Sequence, residues 1–350
     1  MTLRGRTAVL GVVGMLAFTP SAANAAQNPF GGAGDDDYRA VDLLGRAAVA
    51  MRATSYSGTR MLSAWGRDGA TTVIVDVEHV SGQGTRLSVR GGEITHDTAT
   101  FLGNDTGGGV QAAEVTVQSL DLLTGAYAVT VGGRDSVAGR SSRVVEVRRA
   151  GGLVARLWVD ERSGLLLRQE VFDLSGRLVR ESVFVDVETD AAGFMAHLPP
   201  MPPQPAGHDV GVRHRQSLET VGWDCPGSAG PMQLVGIEVL GGTGALHMTY
   251  SDGLSRMSVF EQRGSLAAHA VRGFEQVRLG GEVVHVREGI PTYVMWEDHG
   301  LVYTAVTDGP LDTVEAVVSA RSPDPSDEPD FWTRVVTGMV RLGSWAAPLV

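Results

Sequence analysis

Residues 153–187, LVARLWVDERSGLLLRQEVFDLSGRLVRESVFVDV, form three strand-length runs in which apolar and polar positions alternate. Two Gly turns separate the runs, Asp160-Glu161-Arg162-Ser163-Gly164 and Asp173-Leu174-Ser175-Gly176. In the third run Val179, Val183, Val185 and Val187 share one period-2 face, and Leu178, Arg180, Ser182 and Phe184 share the other. One aliphatic face and one mixed face predict a curved antiparallel sheet, packed on one side and half-open on the other. The pattern leaves open which face lines the hollow. If the Val179–Val187 face packs on helices, the mixed face lies outside.

Similar alternation predicts strands at 57–65, 71–80, 84–91, 126–131 and 143–149 ahead of this meander. Behind it, strands are predicted at 233–240, 244–250, 254–262, 274–279, 282–287, 291–297 and 301–306. Leu279-Gly280-Gly281-Glu282 reads as a two-residue hairpin turn. Helical spacing appears at 38–53, where Val41, Leu44, Ala48 and Met51 form one stripe. A short helix follows Asp308, read as its N-cap, with Val314, Val317 and Val318 facing the sheet. Residues 98–113, with Gly107–Gly109, read as a loop. The expected class is mainly β (α+β): an unclosed antiparallel half-barrel with helices, then a smaller α+β domain and a helical tail.

Five prolines between Pro199 and Pro205 make 195–210 a stiff spacer between a domain at 38–194 and another at 211–322. The acidic stretch from Pro323 to Asp330 leads into FWTRVVTGMVRLGSW, where Trp332, Val335, Val336, Met339 and Leu342 form an apolar stripe. A helix there either caps a domain or contacts a membrane interface through 331–345. At the other end, Arg4 and Arg6, a short apolar run and Ala23-Asn24-Ala25 have the layout of a secretory signal peptide at 1–25. The expected location is exported and extracytoplasmic, with membrane-peripheral attachment an open alternative.

Composition narrows the chemistry. The chain has 350 residues, 43% of them hydrophobic, enough for two cores. Losing Arg4 and Arg6 with the leader takes the formal charge from −11 to −13, which argues against a nucleic-acid partner. All 29 cationic Lys+Arg positions are Arg, so P-loop and Schiff-base lysine mechanisms are excluded. The sole cysteine, Cys225, cannot form an internal disulfide and is expected to be a buried inert thiol. No H-E-x-x-H or G-x-S-x-G occurs. His208 and His214 beside Asp209 suggest a metal only weakly, and a solvated linker accounts for them. Gly241-Gly242-Thr243-Gly244 lies between strands and lacks the helix N-terminus of a phosphate loop. Asp160, Glu161, Asp186, Glu188 and Asp190 occupy turns and strand ends, where acids stay hydrated. The expectation is no enzyme, no cofactor and no metal.

Two passages resemble a known family. Arg156-Leu157-Trp158-Val159-Asp160 with Ser163-Gly164-Leu165-Leu166-Leu167-Arg168 is similar to a hairpin motif of the MucB/RseB sigma-E regulatory proteins. Tyr250-Ser251-Asp252-Gly253-Leu254-Ser255 followed by Ser258-Val259-Phe260-Glu261 resembles a second motif of that family. Ser55–Thr59, Gly222-Trp223 and Tyr303-Thr304 fall in matching order, so the resemblance spans about 38–320. It implies a first domain built like the lipoprotein carrier LolA. It also implies a partner, the exported segment of a transmembrane anti-sigma factor, shielded from proteolysis and released by a lipid-type signal. Lipid or lipoprotein acyl chains are the second implied ligand, and a LolA-like lipid or lipoprotein carrier is the alternative role. An exported hydrolase is the third reading, with no motif behind it. The all-Arg usage suggests an actinobacterial source, so a lipopolysaccharide ligand does not carry over. Trp158, Leu166 and Phe184 on the half-barrel, and Tyr250, Asp252 and Phe260 on the second domain, are the candidate binding residues. Core packing and turn formation are the competing explanations for each, with a type I′ turn competing at Asp252-Gly253.

Overall fold

The computed structural model describes residues 35–67, 69–82, 84–90, 117–189, 207–241 and 244–320. The signal segment expected at 1–25, the loop at 98–113, residues 195–206 of the spacer and the tail at 323–350 lie outside the described residues.

Eight strands form the first sheet: Tyr56–Gly66 (β1), Gly69–Val80 (β2), Gly84–Arg90 (β3), Ala128–Val137 (β4), Arg140–Arg149 (β5), Gly152–Asp160 (β6), Leu166–Phe172 (β7) and Leu178–Thr189 (β8). Their order is β3-β2-β1-β8-β7-β6-β5-β4, with β3 and β4 at opposite edges, so the sheet is an unclosed antiparallel half-barrel. Two helices fill its hollow, α1 (Asp35–Ala53) and α2 (Val117–Ala126). Leu44, Ala48 and Met51 of the predicted stripe are buried, and Val41 packs at the margin. They meet Leu62, Val75, Val129, Leu157 and Phe184 from five strands in one apolar core. Helix α2 was not apparent in the pattern. Of its apolar residues, Leu123 is buried and Leu120 packs beside the core, among polar Ser119, Asp121 and Thr124.

The aliphatic face read along β8 is interrupted. Thr59 of β1 pairs with Asp186 while Arg60 pairs with Phe184, so Val185 is an inserted residue. A bulge of this kind reverses the alternation on either side of it. Phe184 therefore enters the core at 1% exposure, as does Val187 at 8%, while Val185 is 58% exposed. The face that looked mixed supplies the core at Phe184. Tyr56 meets the Phe184 ring edge-on at 6.0 Å, and the Arg60 guanidinium lies 4.0 Å from its centroid.

Nine strands form the second sheet: Gly207–Asp209 (β9), Ser228–Ala229 (β10), Met232–Leu240 (β11), Leu246–Ser251 (β12), Arg256–Arg263 (β13), Glu275–Leu279 (β14), Glu282–Arg287 (β15), Thr292–Asp298 (β16) and Leu301–Thr307 (β17). The order is β10-β11-β12-β13-β17-β16-β15-β14, with β9 added beside β11. Gly207–Asp209, read as spacer, thus pairs with Glu238–Leu240. Gly280 and Gly281 both take positive φ in the predicted hairpin turn, a conformation that glycine adopts without strain. Short helical turns at Val212–His214 and Arg215–Glu219 (α3) precede β10. Helix α4 (Leu311–Ser319) buries Val314, Val317 and Val318, but its N-cap is Pro310. Asp308 lies too far upstream to cap it, and its Oδ1 instead accepts a hydrogen bond from the Arg256 backbone N–H at 2.7 Å.

Phe184→Ala should lower stability by roughly 3–5 kcal/mol, whereas Val185→Ser at the bulge should change it by less than about 0.5 kcal/mol. Urea denaturation of both variants checks the contrast.

Candidate functional site

The six candidate residues separate into distinct environments. Leu166 and Phe184, each 1% exposed, belong to the first core, and Tyr250, fully buried, belongs to the second. The Tyr250 hydroxyl donates to the Pro226 carbonyl at 2.9 Å. Trp158 is buried beneath the Arg168 guanidinium, 4.7 Å from its ring, and its indole N–H donates to Asp135 at 2.9 Å. Phe260 is half-buried on the second sheet and stacks on His247 at 4.5 Å. Of the six, Asp252 makes a side-chain hydrogen bond from the second sheet to the first.

Asp252 opens the turn between β12 and β13. Its Oδ1 accepts the backbone N–H groups of Leu254 at 2.8 Å and Ser255 at 2.7 Å. A carboxylate thus takes the place of a backbone acceptor, as in an Asx turn. Only Gly253 in this turn has positive φ, at 86°, so the type I′ geometry, which needs two such residues, does not apply. Across the gap, the Tyr127 hydroxyl donates to Asp252 Oδ2 at 2.5 Å. Gln169 Nε2 of β7 donates to the Leu254 carbonyl at 3.3 Å. Tyr127 follows α2 directly, which is why the sequence-invisible helix matters here. Burial raises the Asp252 carboxyl above the usual carboxylate range even though Tyr127 and the backbone N–H groups favour its charged form. Burial likewise raises Tyr127, helped by the charge of Asp252.

Other polar contacts surround this one. Arg180 of β8 faces Asp308 at 3.9 Å, with burial pushing the arginine down and the aspartate up. The Leu174 backbone N–H donates to Asp312 at 3.2 Å. Arg67, at the β1–β2 turn, donates its backbone N–H to Glu288 at 2.6 Å and pairs with Glu275 at 3.3 Å. Between these contacts lie two grooves. One, of about 270 Å³, includes Trp65, Val179, Arg180, Asp308 and Leu311. The other, of about 190 Å³, includes Tyr127, Val171, Phe172, Leu254 and Pro310.

The outer face of the half-barrel carries a cross-strand charge ladder. Glu146, Arg156, Glu170 and Glu181 are successive partners on β5, β6, β7 and β8. Glu170 opposite Glu181 would repel, but Arg168 bonds both at 2.6 Å. Trp158 supports that arginine from below, so its aromatic face has a structural task.

Cys225 is buried, and desolvation pushes its thiol up to about 12, with the Glu261 charge adding to the effect, the opposite of an activated cysteine. His214 Nδ1 lies 2.5 Å from the Val210 carbonyl and His208 sits on β9, pairing with Val239. Among the described residues no three His, Cys, Asp or Glu side chains gather as metal ligands, and no helix is long and apolar enough to cross a membrane.

His247 gives the molecule a pH dependence. It is 4% exposed, its Nε2 has no hydrogen-bond partner, and burial pushes its pKa down to about 4. The unfolded chain binds this proton more readily, so stability falls as pH drops from about 6.5 to 4. The loss should reach roughly 3 kcal/mol at most, at about 1.4 kcal/mol per pH unit. His247→Phe, which retains an aromatic ring opposite Phe260, should remove that part of the acid sensitivity. Urea midpoints at neutral and acidic pH measure it.

The model of the MucB/RseB N-terminal domain family matches residues 39–204, which span the half-barrel and α1. No curated protein matches the chain. Among solved structures, MucB in complex with MucA(peri) is 21% identical, with 82% of this chain and 100% of that chain covered and a TM-score of 0.44. The complex of Pseudomonas aeruginosa MucA/MucB gives the same identity, coverage and TM-score. A LolA superfamily protein from Nitrosomonas europaea is 10% identical, covering 77% of this chain and 91% of that one at a TM-score of 0.19.

Proposed function

We propose, for a chain whose residues 39–204 belong to the MucB/RseB N-terminal domain family, that it is an exported, non-enzymatic regulator. It binds the extracytoplasmic segment of a transmembrane anti-sigma factor and shields that segment from proteolysis, and a lipid-type signal releases it. The family match over the half-barrel is the observation that carries this reading. The grooves between the sheets add to it. A groove with Trp65, Val179 and Leu311 beside the Arg180–Asp308 pair offers apolar and polar contacts together, as peptide recognition requires.

In this reading residues 38–194 and 211–322 are the two domains, and the groove between them receives the peptide. The six candidates divide accordingly. Asp252 acts at the domain contact, Phe260 on the open side of the second sheet, and Trp158, Leu166, Phe184 and Tyr250 keep the two sheets in shape. A leader at 1–25 would deliver the protein outside the cytoplasm, and the stripe at 331–345 would hold it near a membrane surface.

Titration of the purified chain with the exported segment of the membrane anti-sigma factor encoded beside its sigma factor tests the reading. Saturable one-to-one binding is expected. Leu311→Asp, which places a carboxylate in the groove wall, should weaken it by about ten-fold or more. A chain that binds no such segment but co-purifies with lipid would instead be a carrier.

A further inference from the structure

We propose that the Arg180–Asp308 pair reads a primary carboxamide, the side chain of a glutamine or asparagine in the segment that the groove receives. The inference deepens the regulatory reading above by naming the group recognised, and it rests on that reading for the source of that group.

Both residues are fixed by their backbones. Arg180 lies within β8, opposite Ala64 of β1 and Val171 of β7. Asp308 follows β17 and is tied to Arg256, accepting its N–H at 2.7 Å through Oδ1 and donating its own N–H to the Arg256 carbonyl at 3.3 Å. Arg180 Nη1 and Asp308 Oδ2 face each other at 3.9 Å. A charge-assisted hydrogen bond would be about 2.8 Å long, so the pair is an ion pair without one. Among the described residues the Arg180 guanidinium donates no hydrogen bond. The two side chains are only 16% and 17% exposed, so solvent meets their need in part.

The other acids of the 270 Å³ groove already have partners. Asp173 pairs with Arg177 at 3.1 Å, Glu288 accepts the Arg67 N–H at 2.6 Å, and Asp312 accepts the Leu174 N–H at 3.2 Å. What the groove still offers is one cationic donor beside one anionic acceptor. A bound cation would be repelled by Arg180, and a bound anion by Asp308. A neutral group with an acceptor and a donor on one edge satisfies both. A trans peptide group does not qualify, because its C=O and N–H point to opposite sides. A hydroxyl would serve both through a single oxygen, and the short gap would pinch its two bonds below the tetrahedral angle. A primary carboxamide presents its oxygen to Arg180 and its N–H to Asp308 from adjacent atoms. Trp65, Val179 and Leu311 line the same groove and give the methylenes of such a side chain an apolar wall.

Four amino acids capped as N-acetyl methylamides test this: glutamine, glutamate, methionine and serine. Each is titrated into the full chain while the Gly309 and Leu311 backbone amides are followed by NMR. Glutamine should saturate, shift both signals and bind about ten-fold or more tighter than the other three, which leave the pair unsatisfied or repelled. Asp308→Asn keeps an oxygen for the Arg256 N–H and puts a donor where Oδ2 was, so the preference should pass from glutamine to glutamate. Arg180→Met should abolish the preference for glutamine. Glutamine that does not bind, that binds no better than methionine or serine, or that stays preferred in the folded variants would overturn the proposal. If one variant fails to fold, the other and the parent titration still decide it. A parallel titration with the anti-sigma segment separates the two claims. Binding of the segment by a chain that ignores capped glutamine overturns only the carboxamide site. Binding of capped glutamine without the segment overturns only the regulatory reading.

Discussion

A carboxylate taken out of water must find donors, and Asp252 finds them in its own turn and in the opposing sheet. Two backbone N–H groups of the turn and the Tyr127 hydroxyl surround it, while burial holds its pKa above the usual range. An unpaired acceptor in such a place costs about 1–3 kcal/mol, more if charged, so Tyr127 and Asp252 constrain each other's position. Tyr127 lies at the junction of α2 and β4, and Asp252 at that of β12 and β13. The hydrogen bond therefore fixes where the second sheet meets the first. The close approach at Gly253, the Leu254 contact and the Arg180–Asp308 pair all lie around it.

That constraint seats a turn of the second sheet against the half-barrel. The half-barrel is open at its edges and filled by helices, and its mouth is covered by a turn rather than by another layer of structure. On the half-barrel, Arg168 pairs with both Glu170 and Glu181 and so links β7 to β8.

Much of the fold was legible because period-2 alternation and Gly turns are local signals. Every predicted strand has a counterpart, and the stripe Leu44, Ala48, Met51 does face the core. Three features were not legible, each for a physical reason. The bulge at Val185 is set by its partner strand, so the run itself reads as unbroken alternation. Helix α2 sets Leu120, Leu122 and Leu123 among polar neighbours after a Gly-rich stretch, which hides its period. The partner of Asp252 lies 125 residues away, and no local pattern connects them. Asp252 could be read as a turn residue, but its role between the sheets required the fold. Trp158, Leu166, Phe184 and Tyr250 are each no more than 4% exposed, a burial that no local pattern distinguishes from a binding surface.

The most direct measurement is amide hydrogen exchange in the turn. The central claim is that Asp252–Ser255 is seated in the half-barrel and opens only with it. The Leu254 and Ser255 amides, both bonded to Asp252 Oδ1, should then exchange nearly as slowly as those of β6 in the first core. Exchange at the rate of a free surface turn, orders of magnitude faster than β6, would contradict it.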